Sequence, residues 1–161
     1  MMRNLKVILS VVFLLLVASC TSVDKPVDEM SDASVDGSGN YRYAAWRPNN
    51  YSDFEAINIL INEADELIQN NEFNAAADKL ERVLRIRPEY APAWSRLSWL
   101  ALEMDSPQRC IQMAKRSNSF AYSDRSLQVL NWSFIRTASK QLGDQSGYDK
   151  ASLKIDSLKA F

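Results

Sequence analysis

Residues able to do covalent or acid–base chemistry are few in this chain, and what is missing narrows the options first. Among 161 residues there is no histidine, which removes the commonest general base and the commonest metal ligand. A Ser–His or Cys–His nucleophile pair therefore cannot be assembled. The cysteines, Cys20 and Cys110, lie far apart in sequence, neither sits in a Cys-x-x-Cys pair, and no Gly-rich phosphate loop is present. Glu63, Asp65 and Glu66 could pose as paired carboxylates, but at helical spacing they fall mostly on a solvated face. A formal net charge of −1 leaves no basic surplus of the kind a nucleic-acid binder needs. The expectation is a protein that is not an enzyme, holds no metal and carries no cofactor. Function must then lie in binding, and the elements that could present a binding surface come next.

The N-terminus reads as a targeting segment over residues 1–19. Arg3 and Lys6 precede the apolar run Val7 to Ala18, broken only by Ser10. About twelve residues is too short for a bilayer span, which needs ~20, and suits a secretory signal. The run closes in Val17-Ala18-Ser19-Cys20, which resembles the bacterial lipobox. Leucine is more usual where Val17 stands and Gly or Ala where Ser19 stands, but the motif tolerates both. The resemblance implies cleavage before Cys20, a diacylglyceryl thioether on its sulfur and an acylated amino group. Each buried methylene contributes about 0.8 kcal/mol, so three chains anchor far more firmly than one. Thr21, where an Asp would imply retention at the inner membrane, implies the outer membrane with the protein facing the periplasm. With Cys20 acylated, Cys110 is the one remaining thiol and no intrachain disulfide can form.

Residues 20–50 read as the lipidated cysteine, a tether and an aromatic segment. Thr21 to Asn40 is acidic (Asp24, Asp28, Glu29, Asp32, Asp36 against Lys25), rich in Ser and Gly, and without aromatics. Such a segment cannot bury enough apolar surface to offset its ordering entropy, so a disordered tether is expected. Thirty residues of flexible chain span on the order of 30 Å. Tyr41, Tyr43, Trp46 and Tyr51 then crowd between Arg42 and Arg47 without a helical period. They suit either a cover over an exposed end of the domain or a short motif for a partner.

Residues 51–161 read as helix pairs. Asp53 suits an N-cap for a helix from Phe54 to Gln69, with Ile57, Leu60, Ile61 and Ala64 on its apolar side. Phe73, Ala76, Ala77, Leu80, Val83 and Leu84 line one face of a second arm that Pro88 should stop. Pro92 sits in the first turn of the next helix, which carries Trp94, Leu97, Ser98 and Ala101. Ser106 as N-cap with Pro107 behind it starts the arm to Ser119, with Cys110, Ile111 and Ala114 inward. A third pair runs from Ser123 or Asp124 to Leu142 and from Tyr148 to Ala160, with Gln145-Ser146 read as an insertion.

The segment Asn71 to Glu103 resembles the join between two tetratricopeptide repeats (TPRs), helix–turn–helix units of about 34 residues. Large residues at Leu60, Leu67, Phe73, Leu80 and Leu84 and small ones at Ala64, Ala76, Ser98 and Cys110 suit the family pattern. Glu63, Asn71, Val83 and Ala101 depart from it. The fold implied is an all-α, right-handed stack of about three antiparallel pairs, clearest in the first and weakest in the third. The resemblance also implies a groove on the first helix of each pair. By family position it would be lined by Asn58, Ile61, Asp65, Ile68 and Gln69, then Pro92, Ser95, Trp99, Leu102 and Glu103. Trp99 is the expected anchor, since Trp94 already takes the core position. The alternative is that Trp99 packs under the aromatic segment or the third pair. The carboxylate-clamp subclass is excluded, because Ile61 and Asp65 stand where it needs Lys and Asn, leaving only Arg96. The groove should take an apolar or mixed segment, with Asp65 and Glu103 favouring basic residues.

The function expected is a membrane-anchored adaptor that binds envelope proteins in envelope assembly or cell-wall maintenance. Two rivals stand beside it: a pilotin-like escort of a secretion or pilus subunit, and a structural lipoprotein that forms a weak homodimer.

Overall fold

The computed structural model describes residues 55–160. They form six helices: α1 (Glu55–Gln69), α2 (Phe73–Ile86), α3 (Ala91–Glu103), α4 (Pro107–Phe120), α5 (Arg125–Gln141) and α6 (Gln145–Lys159). Among the described residues there is no strand. The expected signal peptide, Cys20 lipidation, tether, aromatic segment and Asp53 cap lie outside the described residues. Helices pair as α1/α2, α3/α4 and α5/α6, with α2 packed on α3, α4 on α5, and α3 also reaching α5.

The three turns inside the pairs share one construction. Asn71, Asp105 and Gly143 each adopt positive φ, at 60°, 51° and 69°. In each turn the next residue donates its N–H back to the helix just ended: Glu72 to Leu67 O, Ser106 to Ala101 O and Asp144 to Ser139 O, at 2.8, 2.7 and 2.9 Å. The positive-φ residue donates in parallel, Asn71 to Ile68 O, Asp105 to Leu102 O and Gly143 to Lys140 O. This paired arrangement satisfies carbonyls that a helix end leaves orphaned. Asn and Asp tolerate the left-handed region because their short polar side chains bond locally, so the first two turns dispense with glycine. Asn71 and Asp105 stand 34 positions apart and Asp105 and Gly143 38 apart. The difference is carried by α5, which has 17 residues against 13 in α3.

The third pair departs from expectation at its second helix. Gln145 and Ser146 are not an insertion; with Gly147 they form the first turn of α6. Asp144 fixes that start, its Oδ1 accepting the Gly147 N–H at 2.9 Å. A Cβ on Gly147 would sit 2.2 Å from Asp144 Oδ2, so the missing side chain is what lets the cap close so tightly. Asp124 caps α5 in the same way, accepting from Leu127 N at 2.9 Å. Ser106 stands at the expected N-cap position, but its hydroxyl donates to Met104 O rather than capping.

Small residues let the paired helices approach. Ala64, Ala76, Ser98 and Cys110 are fully buried, and the third pair uses Ala138 and Ala151. Around them pack Ile57, Leu80, Val83, Leu100, Leu127 and Phe134. Fully burying an aliphatic or aromatic side chain contributes about 1.5–3 kcal/mol. The helix most enclosed is α3, where every residue from Ser95 to Leu102 is buried. A surface helix shows one apolar stripe, whereas α3 is surrounded.

Candidate docking surfaces

The residues expected to line a groove separate into two groups. Ile61, Ser95, Trp99 and Leu102 are buried; Asn58, Asp65, Ile68 and Pro92 are half-buried; Gln69 and Glu103 are exposed. The first group offers a partner almost no surface. Trp99 in particular is no exposed anchor, being 8% exposed with its ring edge-on to Phe73 at 5.8 Å between centroids. T-shaped aromatic pairs of this kind add stability beyond the area they bury. The two tryptophans have exchanged their expected roles, since Trp94 sits at the margin and donates its indole N–H to Pro88 O at 2.7 Å. Periodicity placed Trp99 off the core stripe of an isolated helix, but every α3 residue from Ser95 to Leu102 is buried.

The carboxylates that sequence singled out are structural. Glu63 is engaged by Lys79 at 2.6 Å, tying α1 to α2. Asp65 forms a two-pronged pair with Arg96, Nε to Oδ1 at 2.7 Å and Nη2 to Oδ2 at 2.9 Å, tying α1 to α3. Arg96 is 1% exposed. A guanidinium so placed is held by its partner and cannot clamp a ligand carboxylate. Glu66 is exposed on α1, and Glu103, the other groove acid, has its carboxyl pushed above the usual range by partial burial. Among the described residues no three Asp, Glu or Cys side chains come together as a metal site.

Cys110 is a packing residue. Its thiol is pushed up to about 11 by burial, against the lowering effect of the Ser98 hydroxyl. Ser98 Oγ lies 3.3 Å from the sulfur and donates to Cys110 O, and Sγ points to Phe134 O at 3.7 Å. One small side chain thus joins α3, α4 and α5. A second polar tie lies nearby, with Asn131 donating to Ser117 Oγ and Ser117 to Ala91 O.

An open concavity lies elsewhere, between α2 and α4 with α3 as its floor. It has a volume of about 170 Å³, with Leu97, Leu100 and Ala101 below and Asn74, Asp78 and Glu81 on one rim. Arg109 on the other rim reaches Glu81 at 3.6 Å, a loose pair between half-exposed groups. The cleft has room for one or two side chains and presents no reactive group. Sequence reasoning missed it because it is made by three helices whose relative placement no periodicity reports.

The described region is thus an all-α stack of three helical hairpins whose polar groups hold helices together. No protein-family model matches the chain, and no curated protein does. Among solved structures it is similar to the globular C-terminal domain of P. aeruginosa LpoP, with a TM-score of 0.60 and 27% sequence identity. The match covers 67% of this chain and 99% of that one, so essentially the whole of the other domain has a counterpart here.

Proposed function

We propose that this chain is a non-catalytic, lipid-anchored adaptor, held in the outer membrane through Cys20 and facing the periplasm. Its helical domain docks an envelope protein, and the partner class we assign is a peptidoglycan synthase, whose activity the docked domain raises. The observation that carries this reading is the likeness to the LpoP domain over 99% of that domain's length. The lipobox-like Val17-Ala18-Ser19-Cys20 supports the anchor. The 34-position interval between equivalent turns supports reading the hairpins as tetratricopeptide-like repeats, a scaffold that binds proteins rather than substrates. The engagement of Asp65 and Glu63 in ion pairs supports a role without acid–base chemistry.

The test uses residues 21–161, which lack the lipidated cysteine, and a purified peptidoglycan synthase from the same organism. Added chain should bind at micromolar concentration or tighter and speed glycan polymerisation several-fold. No binding and an unchanged rate would sink the assignment. Anchoring is read separately: Cys20→Ser should move the protein from the membrane fraction to the soluble periplasm.

A further inference from the structure

At the end of the stack where one pair passes to the next, the surface changes character. The loops 87–90 and 121–124 lie there, with the C-terminal turns of α2 and α4 and the first turn of α5. Arg82, Arg85, Arg87, Lys115, Arg116 and Arg125 are all exposed there. None is in an ion pair among the described residues, whose three pairs are Lys79–Glu63, Arg96–Asp65 and Arg109–Glu81. Of the acids at this end, Glu81 is committed to Arg109 and Asp124 to the α5 cap, which leaves Glu89 exposed in the loop 87–90 against six cations. The opposite end, at the turns inside the pairs, carries exposed Glu66, Glu72, Glu103 and Asp105. Arg109 and Lys140 are exposed at that end as well, so the sorting is a preponderance of cations at the inter-pair end and not a full separation.

Cations at helix C-termini complement the helix dipole, which accounts for Arg85 in the last turn of α2. It does not account for Arg125, the first residue of α5, where a cation opposes the dipole. Nor does it account for the apolar groups interleaved with the charges. Ile86 is 47% and Tyr122 80% exposed. Arg116 lies over the Phe120 ring at 4.6 Å and the Trp94 ring at 5.9 Å. The indole is oriented in turn by its bond to Pro88 O. Stacking of this kind holds a guanidinium at a fixed place while its edge stays open to a carboxylate.

We infer that this end is the docking face for the partner, and that it takes an acidic protein segment whose carboxylates meet the arginines and whose apolar side chains cover Ile86 and Tyr122. Arg, Tyr and Trp are the residues that dominate protein-binding hot spots, and five of the six cations are Arg, suited to two-pronged carboxylate recognition. A membrane surface would need a broader exposed apolar face than these two side chains supply. The inference rests on the adaptor reading above and assigns its surface and the chemistry of its partner.

The test is photocrosslinking in cells of the full-length lipoprotein, with a benzophenone amino acid replacing Ile86 or Tyr122, and Leu153 on α6, 70% exposed, as the control position. Adducts from 86 and 122 should map by mass spectrometry to an Asp- and Glu-rich peptide of an envelope protein. They should fall at least tenfold in R82E/R85E and in R85E/R116E. The first variant spares the Arg116 stack, and an unchanged melting midpoint shows that it still folds. No adduct above that at Leu153 overturns the surface, as does survival of the adducts in both variants. Adducts to phospholipid or lipopolysaccharide, or to the chain's own Asp24–Asp36, overturn the acidic partner. If the mapped protein is not a peptidoglycan synthase, the surface stands and the assigned partner class falls. If the synthase is bound and stimulated but no adduct forms at 86 or 122, the function stands and the surface falls.

Discussion

Arg96 shows how a residue type misleads when its surroundings are unknown. Arginine in a repeat groove suggests ligand capture, yet here both prongs go to Asp65. Removing one partner of a buried pair leaves the other charge uncompensated, so Asp65→Ala should cost roughly 3–5 kcal/mol in urea unfolding. Trp99→Ala should cost a similar amount, about 3–5 kcal/mol, by opening a cavity against Phe73. A binding defect in that variant would report lost structure, not a lost contact. Cys110 gives a prediction with a sign. Burial pushes its folded pKa up to about 11, above the ordinary thiol value of 9.0. The unfolded chain then releases the proton first as pH rises. The stabilisation is whole below pH 9 and lost on the way to 11; at 1.4 kcal/mol per pK unit it is on the order of 2–3 kcal/mol. Stability should fall more steeply between pH 9 and 11 in the wild type than in Cys110→Ala. Below pH 8 the native thiol should resist iodoacetamide and react only once the chain unfolds.

Helices in this chain begin and end where backbone hydrogen bonding dictates. The turns at Asn71, Asp105 and Gly143 share φ sign and bond pattern although only one is glycine. Left-handed backbone costs an ordinary L-residue roughly 1–2 kcal/mol, less for Asn and Asp. Gly143→Ala meets no neighbouring atom, so its cost in thermal or urea unfolding should be that backbone term alone, about 1 kcal/mol. Asp105→Gly should be neutral or slightly stabilising, and Asp105→Val clearly destabilising. Most helix boundaries were legible before any coordinates, because Pro88, Pro92, Pro107 and Asp124 act locally. The start of α6 was not. Gln145-Ser146 read as an insertion, but Asp144 accepts the Gly147 N–H across them, and a glycine at that place is what the cap requires.

At the scale of the described stack, exposed cations outnumber exposed acids at the inter-pair end, while the other end mixes Glu66, Glu72, Glu103 and Asp105 with Arg109 and Lys140. Binding to an acidic partner should therefore weaken with salt, dropping by an order of magnitude or more between 50 and 300 mM NaCl, as a titration of the mature chain against the synthase would read. Charge reversal at Arg82 and Arg85 should flatten that dependence, acting on encounter more than on stability.

What the amino-acid sequence determined by itself is the order and class of elements. Proline, capping residues and apolar period act within a few positions, so three helix pairs, their small-residue seams and the absence of histidine chemistry could be read directly. Only the tertiary structure decided which faces are open. The groove was inferred from repeat-family positions on two helices, each taken as having one inner and one outer face. Enclosed by its neighbours, α3 has no outside, so Trp99 and Ser95 became core. Arg96 found Asp65 from 31 positions away. Arg82, Ile86, Arg116 and Tyr122, unremarkable along the chain, came to one end of the stack because alternate helix ends point the same way. Burial and charge sorting are sums over distant residues, and no local pattern contains them.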